Sequence, residues 1–452
     1  MLKKTIMFFT TLLLIVLMSC DSSKTTYTFN INSDLSVESF DINNSHKILS
    51  TDEKVSIIYL TEQTLRINVY DIDSNELSNY YEIDATQTYV YDCDLSNDYL
   101  VCLSKNVSES TFQLIVYNLN NNNVSTEIID GSDNLVGYDN SIEIEDEYVL
   151  INLSSGYMGK GKTYLMTIGS ANTVENVYNY DISRTVMDGT LEEVFGGRNT
   201  IQNKKIVMSS IDFIDSFNYV SVYSIEDKSV EFDSSELFIE NESCNILNAD
   251  IYDDYVSLKT RCESTDRFYI FDISDIDDTY VIDFSYNIDN YKVKAIDEKY
   301  VIISDGNSNQ DSAKLLFYDV ENEILDEVDY PTVDVKYFGN TVYLYENILC
   351  ILNSTENEEI LVYDLNESEY IDLEYDFEVK EVYGIYNQFI IFNAIDNSVE
   401  KMIGYNMVTT EFQDIINISS DDYEISIFSE YIFLINSNGS ISIIELEVSK
   451  SK

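Results

Sequence analysis

The segment from Gly156 to Thr163, GYMGKGKT, matches the pattern G-x-x-x-x-G-K-[ST] at every fixed position. In a phosphate-binding loop the glycines let backbone amides wrap a phosphate, and the lysine reaches the outer ones. The geometry also needs a helix directly after the loop, because the helix N-terminus is part of the anion site. From Thr163 the chain instead continues as TYLMTIGS, a strand-like run. A glycine-rich turn between two strands is therefore expected, with no nucleotide. Asp71, Asp73, Asn75 and Glu82 fall at positions 1, 3, 5 and 12 of a calcium loop. Position 6 calls for glycine and holds Glu76. The same residues serve as a turn between strands, and 82 acidic residues make a chance match easy. Asp272, Asp275, Asp277 and Asp278 form a similar carboxylate cluster. Calcium is thus the one cofactor these patterns suggest, as weak surface binding. His46 is the sole histidine, so a Ser-His-Asp triad or a histidine-based metal site would have to use it. It lies in a polar stretch, Asn43–Lys47, and reads as a solvated turn residue. No catalytic residue is assigned.

Six cysteines are present. Cys93 and Cys102 are equidistant from a two-residue turn at Asn97-Asp98, which places them opposite each other in a hairpin. Cys244 and Cys262 are arranged in the same way around Asp253. In an exported chain this suggests two disulfides with Cys350 free. The alternative is buried thiols that act as small apolar residues.

Cys20 ends a different pattern. Residues 1–19 carry Lys3 and Lys4, then an apolar run from Ile6 to Met18 that is too short to span a bilayer comfortably. Leu17, Met18, Ser19 and Cys20 resemble a bacterial lipobox, which implies cleavage before Cys20 and lipid attachment to it. Residues 20–26 are then the lipidated cysteine and a short polar tether. Asp21, directly after the cysteine, resembles an inner-membrane retention signal of diderm bacteria. The expected location is the extracytoplasmic side of the cell membrane, the cytoplasmic membrane in preference to the outer one.

The elements that must position these residues are short strands. Tyr89–Asp130 reads as four of them, YVYDCDL, YLVCLSK, FQLIVYNL and VSTEIID, separated by polar turns. Tyr, Ile, Val and Phe favour strands, and Asn, Asp, Ser and Gly favour turns. The unit recurs. An apolar run ends in an aromatic followed by Asp or Asn, or by Ser after Tyr223, at Phe29, Tyr70, Tyr117, Tyr223, Phe271, Tyr318, Tyr363 and Tyr405, with degenerate copies at Ile168 and Ile444. A second mark, a polar residue, an aromatic and then aliphatics, recurs in step at Tyr99, Tyr148, Tyr255, Tyr300, Phe389 and Tyr431. Repeats of this length and content indicate a β-propeller over residues 27–448, followed by a tail at 449–452. About nine units are visible, whereas propellers usually have four to eight blades. Eight four-stranded blades are expected, with seven to nine open and the irregular stretch near 150–215 taken as a miscount. Residues 27–42 read as the third and fourth strands of a blade. Tyr27–Asn32 and Ser36–Ile42 are expected to complete the last blade beside Ile441–Val448 and so close the ring. The pattern resembles bacterial WD40-like, YVTN-like and quinoprotein-like propellers, without the Trp-Asp and Gly-His marks or the blade tryptophan of those repeats. The resemblance implies a repeat type and no activity.

Composition narrows the partners. There are 82 acidic against 26 basic residues, a net charge of −56. Such a field repels nucleic acid and attracts cations and basic surfaces. Three functions remain open. The first is a membrane-anchored binding or scaffold module that takes a protein or glycan on a propeller face. The second is a metal-dependent propeller hydrolase or lactonase, whose metal would sit on the axis among carboxylates. The third is an envelope assembly factor, since size, anchor and architecture are similar to those of the propeller lipoprotein of the outer-membrane barrel-assembly machinery.

Overall fold

A computed structural model describes residues 25–36, 46–61, 63–72, 74, 76–108, 111–129, 140–153, 162–169, 174–180, 200–211, 218–233, 244–252, 255–262, 265–275, 279–305, 314–329, 338–339, 341–354, 358–373, 375–418, 423–427, 431–436 and 440–450. The chain divides into two compact units, one of residues Asn43–Ile418 and one that joins the two chain ends.

The first strand, β1 (Thr25–Ser36), belongs to the unit of the chain ends. The large unit then runs through eight four-stranded antiparallel blades in chain order. Blade one is β2 (His46–Ser50), β3 (Lys54–Thr61), β4 (Thr64–Asp71) and β5 (Glu76–Asp84). Blade two is β6 (Thr88–Leu95), β7 (Tyr99–Asn106), β8 (Phe112–Asn118) and β9 (Val124–Ile128). Blade three is β10 (Ser141–Glu145), β11 (Tyr148–Leu153), β12 (Lys162–Ile168) and β13 (Val174–Tyr180). Blade four is β14 (Thr200–Gln202), β15 (Lys205–Ile211), β16 (Asn218–Ser224) and β17 (Ser229–Asp233). Blade five is β18 (Cys244–Tyr252), β19 (Tyr255–Cys262), β20 (Asp266–Asp272) and β21 (Thr279–Phe284). Blade six is β22 (Lys292–Ile296), β23 (Tyr300–Ser304), β24 (Leu315–Asp319) and β25 (Ile324–Glu327). Blade seven is β26 (Thr341–Tyr345), β27 (Ile348–Ser354), β28 (Glu358–Asp364) and β29 (Glu369–Ile371). Blade eight is β30 (Glu378–Tyr386), β31 (Phe389–Asp396), β32 (Val399–Asn406) and β33 (Glu411–Asn417). The small unit is a ninth sheet, β34 (Tyr423–Ile427), β35 (Ile432–Asn436) and β36 (Ser440–Lys450), with β1 as its fourth strand.

The architecture is an all-β propeller of four-stranded blades, and the nine sheets among the described residues correct the expected eight. The stretch near 150–215 is not a miscount. It holds parts of two blades, three and four, and the extra length lies between Tyr180 and Thr200. At the N-terminus, among the described residues, one strand pairs with the C-terminal one, with Thr25 opposite Lys450 and Ser36 opposite Ser440. The expected second strand, Ser36–Ile42, lies outside the described residues apart from Ser36. Phe29 is therefore in a fourth strand, and the remaining nine marks fall one per sheet on the third strand.

Both marks have physical causes. The second strand of a blade is covered on both faces by its neighbours, so it reads as a continuous apolar run. Leu100 to Ser104 of β7 and all of β23 are buried. The aromatic closing a third strand packs across a blade seam. The Tyr117 ring lies 4.4 Å from Tyr81 of blade one, and the Phe271 ring 4.5 Å from Phe232 of blade four. The Asp or Asn after it caps the next turn, since these side chains accept bonds from backbone N–H groups two or three residues on. Asn118 accepts from the Asn120 N–H (3.1 Å), Asp319 from Asn322 (3.0 Å), Asp364 from Asn366 (2.9 Å) and Asn406 from Val408 (2.9 Å). Each of these turns then has a residue with positive φ: Asn122, Glu323, Ser368 and Thr410. Apolar clusters join every blade of the large unit to the next, for example Val101, Leu103 and Phe112 with Ile142, Val149 and Tyr164 between blades two and three.

Candidate functional site

Among the described residues, the first strand of each blade has one edge without a strand partner, and its N–H and C=O groups need other partners. Between blades two, three and four, carboxylates supply them. Asp92 and Asp94 on β6 are two residues apart, as are Glu143 and Glu145 on β10, so each pair shares a strand face. Asp92 Oδ2 accepts the Ile142 N–H at 3.3 Å, and Asp94 Oδ2 accepts the Ile144 N–H at 2.8 Å. Glu143 Oε2 accepts the Ile201 N–H at 3.0 Å and the Thr200 hydroxyl at 2.7 Å. Glu145 Oε2 accepts the Lys204 N–H at 2.9 Å. Blade one joins the series through Lys47, whose Nζ donates to Asp92 Oδ1 at 2.5 Å and to the Cys93 carbonyl at 2.7 Å. Burial pushes the Asp94 carboxyl up to about 6, against the pull of the Ile144 and Leu95 N–H groups and Lys47. Burial raises Glu143 as well, opposed by its bonds to Thr200 and Ile201.

Blades five and six use the opposite charge. The buried Lys259 of β19 donates to the Asp289 carbonyl at 2.8 Å and the Tyr291 carbonyl at 3.1 Å, in the segment that leads into β22. Arg261 bonds Asp289 at 2.9 Å and Asp266 at 3.3 Å, and the Tyr252 hydroxyl donates to the Val293 carbonyl at 2.5 Å. Burial lowers the Lys259 pKa, and burial together with the neighbouring Lys292 lowers that of Lys294.

A cavity of about 390 Å³ opens where the β6–β7 turn of blade two meets the β10–β11 turn of blade three. Ser96, Asn97, Asp98, Asp146, Glu147 and Thr167 contribute to its wall. The turns are held in place around it. Ser96 Oγ bonds the Asp146 carbonyl at 3.4 Å, Asn97 donates to Asp52 at 2.9 Å, and Asn120 donates to Asp98 at 2.7 Å. Three carboxylates with hydroxyl and amide groups make a site suited to hydroxyl-rich or cationic ligands. Tyr99 and Ile168 complete the wall, which is otherwise built from hydrogen-bonding groups and negative charge.

The residues singled out by sequence sit elsewhere. Asp71 accepts the Ser74 N–H at 2.9 Å, and that bond holds its pKa below the usual carboxylate value. It caps a turn, as Asn118 and Asp319 do. Glu82 lies along β5 from Glu76, an extended run of about 20 Å, and is engaged by Arg66 at 3.5 Å and by the Tyr80 hydroxyl. The two ends of the supposed calcium loop are thus drawn apart, and Asp73 and Asn75 lie outside the described residues. No group of three or more metal-binding side chains occurs among the described residues. Most of the glycine-rich loop is outside them too, but Lys162 and Thr163 begin strand β12, where a phosphate loop would begin a helix. His46 opens strand β2 opposite Tyr59 and is not in a turn. Cys93 and Cys102 are opposite each other and bonded. Cys262 is disulfide-bonded, and its register partner is Cys244. Cys350 is a buried free thiol whose pKa burial raises. Cys20 lies outside the described residues.

The carboxylates of the first strands were not singled out from sequence. Their signal was present as acids two apart in a first strand, Asp92 with Asp94 and Glu143 with Glu145, but acids are too common in this chain for the pattern to stand out.

No protein-family model matches the sequence, and no curated protein is significantly similar to it. Solved structures are similar in fold. A eukaryotic initiation factor structure covers 85% of this chain and 90% of its own at 11% identity, with a TM-score of 0.50. The Dos1 propeller covers 91% and 95% at 10% identity, with a TM-score of 0.45. BamB from Moraxella catarrhalis covers 91% and 100% at 9% identity, with a TM-score of 0.41. Identities this low speak to fold alone.

Proposed function

We propose that this protein is a lipid-anchored, extracytoplasmic propeller that acts as a binding or scaffold module. The carrying observation for the anchor is the segment from Lys3 to Cys20, with its positive start, short apolar run and lipobox-like end. Support for binding comes from the placement of the acids. Asp92, Asp94, Glu143 and Glu145 are used to join blades, whereas Asp98, Asp146 and Glu147 face an open, polar cavity between two hairpin turns. A hydroxyl-rich glycan or a basic protein segment fits that chemistry. The cytoplasmic membrane is the favoured location, on the strength of Asp21. The test is recovery of partners from solubilised membranes with the wild type and with a triple variant, Asp98→Asn, Asp146→Asn and Glu147→Gln. A partner held by the wild type and lost in the variant supports the reading. Equal recovery by both, or no reproducible protein or glycan, refutes it.

A further inference from the structure

The repeat supplies its own reference for the cavity between blades two and three. In blade six the turn before β23 is Asp297-Glu298-Lys299, and the strand opens with Tyr300. In blade two the turn is Ser96-Asn97-Asp98, and β7 opens with Tyr99. The backbone bonds of the two turns match. The Asp297 N–H bonds the Tyr300 carbonyl at 3.0 Å, and the Ser96 N–H bonds the Tyr99 carbonyl at 2.8 Å. The Lys299 and Asp98 carbonyls accept the Val320 and Leu119 N–H groups, both at 2.9 Å. In the blades that follow, the Leu365 N–H bonds the Asn347 carbonyl and the Ile168 N–H bonds the Glu147 carbonyl, again both at 2.9 Å. Lys299 therefore corresponds to Asp98, Tyr300 to Tyr99, Asn347 to Glu147, and Asn366 to Gly169.

The tyrosine ring is kept in both places, and its cover is exchanged. The Lys299 ammonium lies 4.9 Å from the centre of the Tyr300 ring and donates to Asn366 Oδ1 at 2.8 Å. The Tyr300 hydroxyl donates to the same oxygen at 2.9 Å, and Tyr300 is 1% exposed. In blade two both covering side chains are gone. Asp98 stands in place of the lysine and Gly169 in place of the asparagine, and Tyr99 is only partly buried, in the cavity wall. Glu147 stands in place of Asn347. Burial, then the charges of Asp98 and Glu147, raise the Tyr99 pKa, so both carboxylates stand close to its phenol. Among the described residues no ion pair engages Asp98, Asp146 or Glu147, and Lys204, which lies near Asp146, is paired with Glu226 at 3.2 Å. An ammonium over an aromatic face is attracted by the ring, and adjacent carboxylates add to that attraction. A neutral glycan would leave the carboxylates unmatched.

We infer that the space over Tyr99 receives an alkylammonium group from a ligand, in the place that Lys299 fills between blades six and seven. The inference rests on the reading of this cavity as a binding site, and it narrows the ligand to a protein lysine or a free polyamine. The test is calorimetric titration of the full chain at physiological salt. N-acetyl-lysine methylamide and spermidine are the two ammonium probes, and N-acetyl-norleucine methylamide is the uncharged match. Asp98→Lys supplies an ammonium from the chain itself. Glu127→Lys, on the exposed strand β9, makes the same charge change outside the cavity wall. Tyr99→Leu removes the ring and keeps the carboxylates. The expected result is one saturable site for an ammonium probe, about tenfold weaker in Asp98→Lys, weakened in Tyr99→Leu and unchanged in Glu127→Lys. The tighter of the two ammonium probes identifies the source of the group. Absence of a saturable site, equal weakening by both lysine substitutions, unchanged binding in Tyr99→Leu, or equal binding of the norleucine probe overturns the inference. A membrane partner lost in the triple variant, without ammonium binding, overturns this inference and leaves the module reading standing. Ammonium binding with no recovered partner supports this site and refutes the module reading alone.

Discussion

Between blades two, three and four, first-strand carboxylates accept N–H bonds from the next blade. Between blades five and six, a lysine donates to carbonyls of the segment that begins the next blade. Both arrangements satisfy backbone polar groups, the acidic seams at the edge of a first strand and the basic seam in the 3-10 turn that precedes β22. In the acidic seams Asp94 meets the Ile144 N–H, and in the basic seam Lys259 meets the Asp289 and Tyr291 carbonyls. In each case burial opposes the charged form and moves the pKa toward neutrality of the side chain. Side-chain charge at a seam thus follows the backbone polarity it must meet. The two seams consequently respond to pH with opposite sign.

The largest effect is expected at the basic seam. Lys259→Met keeps the apolar stem and removes the donor to two carbonyls, each costing about 1–3 kcal/mol when left unmet. Urea unfolding at pH 7 is expected to show a loss of about 3 kcal/mol. A loss under about 1 kcal/mol would mean that water replaces the lysine and that the seam is not held by it.

Next is the pH response of the acidic seam. The folded pKa of Asp94 is about 6, above its ordinary 3.8. In that window the folded state binds more protons than the unfolded one, so stability falls as pH rises. The contribution is fully present below the unfolded value and is lost as pH passes the folded one. At about 1.4 kcal/mol per pKa unit it amounts to at most ~3 kcal/mol. Asp94→Asn is expected to flatten this slope in unfolding curves taken between pH 4 and pH 7. For Lys259, whose pKa is lowered from 10.5, the unfolded state binds the extra proton, and its contribution rises with pH in the alkaline range. Parallel slopes for the two sites would break the comparison.

A finer test separates acceptor from charge. Asp94→Asn retains an oxygen for the Ile144 N–H and is expected to match or exceed wild-type stability at pH 7. Asp94→Ala orphans that N–H and is expected to cost about 2 kcal/mol. The smallest effect is expected outside the seams. Arg267 and Asp283 pair at 2.7 Å, but Asp283 is 70% exposed, and Asp283→Asn is expected to change stability by less than about 0.5 kcal/mol. A larger loss in thermal unfolding would show that surface pairs share the work assigned to the seams.

Much of the fold was legible in the sequence because the repeat marks are direct products of local physics. The aromatic-Asp pair at Tyr363-Asp364 is a strand end followed by a side chain that caps its own turn, and both depend on neighbours in sequence. The same locality placed Cys93 opposite Cys102, since a hairpin register follows from its turn. The irregular count near 150–215 failed for a related reason. Long connections such as that between Tyr180 and Thr200 blur spacing while strand pairing is unaffected.

The seams were not legible. Asp94 and Ile144 lie fifty positions apart in sequence, and their bond exists only because neighbouring blades place one first strand beside the next. Nothing local distinguishes Asp94 from Asp98, which bonds Asn120 at a turn and lines the open cavity. Strand identity, turn positions, hairpin registers and the short apolar segment that ends at Cys20 can be read from sequence, because each depends on residues within a few positions. The number of blades, the pairing of Thr25 with Lys450, and which of 82 acids are buried at seams and which face solvent were settled by the folded chain. Those outcomes depend on burial and on partners distant in the chain, and both arise only when the sheets pack.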